Sequence, residues 1–106
     1  MAVAQSRVIP KTNVERAIDK VIRKLGSEVV RVRYNLDEDW DGDPVIFFRI
    51  VLTDAAARKD VRADVSGRIM DRVFQDLNPQ GNWGIYPHFE FLGKSDLTEV
   101  TDPTWA

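Results

Sequence analysis

The residues in this chain best suited to chemistry are carboxylates. Asp37-Glu38-Asp39-Trp40-Asp41-Gly42-Asp43 places acidic side chains at alternate positions and a glycine sixth, which matches the opening of a helix-flanked calcium loop. Oxygen donors at that spacing can wrap a hard cation, and Asp37, Asp39, Asp41 and Asp43 are the metal candidates. The match then breaks off. The position for the bidentate glutamate is Phe48, and Pro44 stands where the loop should continue. The competing reading is a solvated acidic hairpin tip that deters edge pairing or meets a basic partner.

Other combinations are thinner. Gly26-Ser27 followed by Asp37 and Asp39 resembles the phosphate grip and magnesium carboxylates of minimal nucleotidyltransferases. That family has a helix after Gly-Ser and apolar residues around its aspartates, whereas here a strand pattern follows and Glu38 and Trp40 intervene. His88 and Glu90 share a strand face and could pair, but no nucleophile or second histidine accompanies them. Arg31, Arg33 and Arg49 are suited to phosphate or RNA, with Phe47 or Trp83 to stack a base. Against nucleic acid stands the charge balance: 15 basic and 17 acidic residues leave a net charge of −2. No cofactor is implied. Trp40 and Trp105 fall in a loop and a tail, where an indole either caps a core or anchors a partner.

The elements that must position these groups are organised by Pro44 to Thr53. Val45, Ile46, Phe47, Phe48, Ile50, Val51 and Leu52 fill both faces of a strand whose one charge is Arg49. Such a strand is central and needs cover on both sides. Upstream, Thr12-Asn13-Val14-Glu15 reads as a capping box, opening a helix with Val14, Ala17, Ile18, Val21, Ile22 and Leu25 on one face and Gly26 beyond its end. Glu28 to Leu36 alternates, with Val30, Val32, Tyr34 and Leu36 on one side, and the acidic loop returns it antiparallel into the central strand. Ala56 to Leu77 carries a helical apolar stripe, with Ser66-Gly67 marking a bend or a close backbone contact. Pro79 to Pro87 reads as a loop, His88 to Leu92 as a short third strand, and 93–106 as a tail whose Pro103 disfavours regular structure.

The 106 residues thus read as one domain with a loose lead-in over 1–11. The fold class is α+β: a two-layer αββαβ sandwich, with a three-stranded mixed sheet, the 44–53 strand central and two helices on one face. Its other face would show Arg31, Arg33, Phe47, Arg49, Val51, Glu90 and Leu92 without intramolecular cover. Mixed aliphatic and arginine side chains on an open sheet suit a partner surface, so these residues with Trp105 are the expected interaction surface, and a homodimer the expected state. With no cysteine, one histidine, no signal-peptide pattern and no run of ~20 apolar residues, the expectation is a cytoplasmic, non-enzymatic module away from membranes.

Residues Asp39 to Asp54 and the closing Asp102-Pro103-Thr104-Trp105-Ala106 resemble small bacterial proteins encoded beside HEPN-domain proteins. The resemblance implies a gene-pair partner and an antitoxin-like or regulatory role; it transfers no catalytic residue. The layout is also similar to the cytosolic domain of cation-diffusion transporters, which implies dimerisation, although the histidine ligands of that family are missing.

Overall fold

A computed structural model describes residues 10–105; residues 1–9, most of the expected lead-in, and Ala106 lie outside it. In chain order the elements are α1 (Lys11–Ile22), β1 (Val29–Glu38), β2 (Pro44–Leu52), α2 (Arg62–Asp76), α3 (Pro79–Trp83) and β3 (Tyr86–Gly93), followed by two short 3₁₀ helices, Lys94–Glu99 and Pro103–Trp105. The sheet order is β1-β2-β3, antiparallel between the first pair and parallel between the second. This is the expected α+β sandwich, with β2 in the middle.

Burial explains why β2 holds that place. Its even-numbered side chains, Ile46, Phe48, Ile50 and Leu52, join Val14 and Ile18 of α1 and Val65, Ile69 and Val73 of α2 in one buried cluster. Across the parallel pair, Phe48 stacks on Phe89 with ring centroids 5.2 Å apart. Aromatic pairs in this arrangement add roughly 0.5–1.5 kcal/mol beyond the area they bury. Arg62 ties the start of α2 to this layer by donating to the Phe91 carbonyl at 2.6 Å.

Several local expectations are corrected. The Thr12–Glu15 capping box does not form: Pro10 is the N-cap, its carbonyl already takes the first helical bond from Val14 N at 3.0 Å, and Thr12 lies inside the helix. The regular part of α1 stops at Ile22, where Lys24 and Leu25 bond back three residues and tighten the last turn. In β1 the register slips between Val29 and Arg31, so Val29 packs on the core while Val30 is 46% exposed. That irregularity reverses the facing predicted for Val30.

The second helix begins at Arg62 rather than Ala56. Thr53 Oγ1 accepts from Ala56 N at 3.2 Å and Arg58 closes onto Asp60, so local turns outcompete a helical start even though Ala56 is buried. Gly67 makes no close contact, since a Cβ there would meet nothing within 4 Å, and α2 runs unbroken through it. The expected loop after Asn78 contains α3: Asn78 adopts a left-handed conformation, its side chain accepts from Gly81 N, and Pro79 begins the turn. Pro103 likewise starts a 3₁₀ turn instead of excluding one. Among the described residues, no helix is long and apolar enough to cross a membrane.

Candidate functional site

The face of the sheet turned away from the helices can be read off the register in four rows. Asp37, Val45 and Tyr86 form the first, Asn35, Phe47 and His88 the second, Arg33, Arg49 and Glu90 the third, and Arg31, Val51 and Leu92 the fourth. The seven sheet residues expected on this surface are therefore brought together. Asp37, Val45, Asn35, Tyr86 and His88 complete it; the alternation already set Asn35 beside Arg31 and Arg33 and His88 beside Glu90, whereas Tyr86 fell in the expected loop and Val45, buried at 1% exposure, gave no facing signal within an apolar run.

Two chemistries divide the face. The first two rows are aromatic: Phe47 stacks on His88 at 5.3 Å and 28°, and His88 meets Tyr86 at 5.6 Å. This settles His88 against aromatic rings, while Glu90 turns to Arg49, so the weighed His88–Glu90 pairing gives way to an arginine partner. The last two rows are cationic. Arg33 and Arg49 stand directly opposite each other, a destabilising arrangement for like charges. Arg49 is relieved by Asn35 Oδ1 at 2.6 Å, by Glu90 at 3.7 Å and by the Phe47 ring, whose centroid lies 5.9 Å from the guanidinium carbon.

This cationic half is not open. The C-terminal segment crosses it as a strap: Arg31 donates to the Trp105 carbonyl, and Trp105 is buried, 7% exposed, outside the helix-side cluster. Val51, at 1% exposure, is buried too. The expectation of a face without intramolecular cover is thus corrected: Val51 and Trp105 are interior contacts. The reason is sequence distance, because a polar tail gains its place through one indole and one carbonyl. Asp102 is held below the usual carboxylate range first by Thr104, whose Oγ1 and N donate to it at 2.7 and 2.9 Å, and then by the charge of Arg49. Beneath the strap the Nε atoms of Arg31 and Arg49 are buried with no hydrogen-bond partner.

The strap's root is fastened separately. Asp54 accepts from Ser95 N at 2.8 Å and Ser95 Oγ at 2.6 Å, bonds that lower its pKa, and Asp96 accepts from Gly93 N at 3.2 Å.

At the other end of β2 lies the acidic tip. Carboxylate oxygens of Asp39, Asp41 and Asp43 come within 4.8 Å of one another, whereas Asp37 is not one of the group and its Oδ1 accepts from Glu38 N. One oxygen of Asp39 takes the amides of both Asp41 and Asp43 at 2.9 Å, and Gly42, at φ 86°, completes the turn. Phe48, at the position a calcium loop reserves for its bidentate glutamate, is buried in the core. The Gly26-Ser27 and Asp37/Asp39 constellation is pulled apart, since β1, ten residues long, separates its halves by roughly 30 Å.

A shallow groove beside the first turn of α2 is lined by Glu28, Ala55, Val61, Asp64 and Arg68 among others, with Arg68 bonded twice to Glu28 at 3.1 and 3.2 Å. No protein-family model, no curated protein and no solved structure matches the chain.

Proposed function

We propose that the chain is a non-enzymatic protein-interaction module, homodimeric and cytoplasmic, that serves as partner or antitoxin-like regulator of a protein encoded nearby. The observation carrying this reading is the aromatic half of the sheet face. Tyr86 is 54% exposed, beside a half-buried Phe47 and an exposed His88, and the strap ties described above lie on the cationic half. Aromatic rings that share a rigid sheet, flanked by charged residues, are the usual anchors of protein interfaces. A HEPN-domain protein is the partner that the sequence resemblance suggests.

The acidic tip supports calcium sensing less well, because one oxygen of Asp39 holds the turn and Phe48, where the bidentate glutamate would stand, offers no ligand. Sedimentation equilibrium at micromolar concentration, with co-purification of the neighbouring gene product, tests the proposal. A dimer carrying a stoichiometric protein partner is the expected result; a monomer that retains no protein and is stabilised by small ligands would overturn it.

A further inference from the structure

The two outer strands of the sheet differ in how their edges are closed. On β3, Pro87 has no N–H to offer, the Phe91 carbonyl takes Arg62 and the Gly93 N–H goes to Asp96. Interruptions of this kind keep an edge from pairing with another chain. From Val32 to Leu36, β1 contains no proline, no lysine and no register shift.

The register shows which backbone groups β1 leaves open. Asp39 N donates to Asp43 O at 2.9 Å, so the hydrogen-bonded pairs of this antiparallel ladder continue as Asp37 with Val45, Asn35 with Phe47, Arg33 with Arg49 and Arg31 with Val51. Val32, Tyr34 and Leu36 alternate with them and direct their N–H and C=O groups away from β2. Among the described residues, no other strand lies along that side, and the three side chains are half-buried against the core.

We infer that β1 pairs antiparallel with β1 of a second copy, about a two-fold axis at Tyr34, so that two sheets join edge to edge. This rests on the homodimer proposed above and names its contact; the aromatic half of the face is left to the other partner.

Sequence selects both the occupant and the register. A centre at Arg33 would set Arg33 against itself, and a centre at Asn35 would set Val32 against Glu38. A centre at Tyr34 sets Val32 on Leu36, Tyr34 on Tyr34, Arg33 on Asn35 and Arg31 on Asp37. Apolar residues then meet apolar ones, and an acid meets a base at each end. The strand is complementary to its own reverse, which is what an isologous interface requires. Arg31 gives one nitrogen to the Trp105 carbonyl and Asp37 one oxygen to the Glu38 amide, so both keep hydrogen-bonding capacity. Each Tyr34 also brings its own Asp19 toward the axis, but these carboxylates are exposed and screened by water. The joined sheet has β3, the interrupted edge, at both margins, and so the assembly closes at two copies.

The test uses the full-length protein, with sedimentation equilibrium for its state and circular dichroism for its folding. In the dimer the Val32, Tyr34 and Leu36 amides should exchange with deuterium at least tenfold more slowly than in the diluted monomer. Val32→Pro removes one outward N–H, leaves the ladder to β2 intact and is expected to weaken dimerisation at least tenfold. Should that variant fail to fold, two charge reversals replace it. Asp37→Arg and Arg31→Asp should each weaken self-association, and mixing the two proteins should restore a one-to-one dimer, since each then offers the charge that the other needs. A dimer whose three amides exchange as in the monomer, or reversed variants that do not rescue each other, overturns this inference and leaves the homodimer standing. A wild-type monomer at micromolar concentration overturns both.

Discussion

Gly93 lies so close to Ala57 that a Cβ on Gly93 would stand 2.8 Å from the Ala57 Cβ. The contact joins the end of β3 to the turn after β2, and neither partner has a flexible side chain with which to yield. Gly93→Ala should therefore cost roughly 1–3 kcal/mol, the usual range for overpacking a close contact. Urea denaturation measures it, and a loss under about 0.5 kcal/mol would show that the turn gives way freely.

The two faces of β2 differ in what covers them, and paired truncations separate the two covers. Ile50→Ala, under both helices, should cost about 2–5 kcal/mol. Val51→Ala, under the strap, should cost about 1–3 kcal/mol if the cover persists in solution. A near-zero value for Val51 alone would place the strap off the sheet.

Phe47→Glu introduces a charge among Arg49, His88 and the half-covered aromatic rows. The expected protein is folded by circular dichroism but partnerless. Loss of folding would mean that this half of the face is interior.

Tyr34 gives a pH signature. Burial, then the charges of Asp19 and Glu15, push its hydroxyl up to about 12 from an ordinary value of 10.0, and it donates to Asp19 Oδ1 at 3.3 Å. Between these two values the native state keeps a proton that the unfolded chain has released. Its contribution to stability is complete below pH 10 and is lost as the pH rises toward 12. Chemical denaturation across that window should show the decline in the wild type and a shallower one in Tyr34→Phe; parallel curves would remove Tyr34 as the cause.

Asp39 holds the hairpin tip through two amides, so Asp39→Ala should destabilise the protein by about 1 kcal/mol, and calorimetric titration with calcium should give no heat. A saturable heat abolished by Asp39→Ala would restore the metal reading.

The strand order was legible because hydrophobicity alone distinguishes a strand buried on both faces from one that alternates. Seven of the eight residues from Val45 to Leu52 are apolar, and that pattern allows only the centre of the sheet. The same pattern located, by exclusion, the face turned away from the helices. It could not reveal the strap, because Asp102 to Trp105 has no periodicity and its docking depends on Arg31, far away in the chain. Val30 was misassigned for a related reason: the slip after Val29 trades one valine for another, and alternation cannot tell which of two adjacent valines turns inward. The late start of α2 escaped because Ala57 and Val61 keep helical spacing while Thr53 and Arg58 spend their hydrogen bonds on turns.

The Val45 to Leu52 segment is also the part of the chain most able to form intermolecular β-structure, being rich in β-branched and aromatic residues with Arg49 as its lone charge. In the native protein both of its edges are paired and both of its faces are largely covered, so it becomes available only when the whole domain opens. Precipitation on heating should therefore begin together with the loss of secondary structure, and Arg49, placed inside the segment, is the gatekeeper whose removal should accelerate it most.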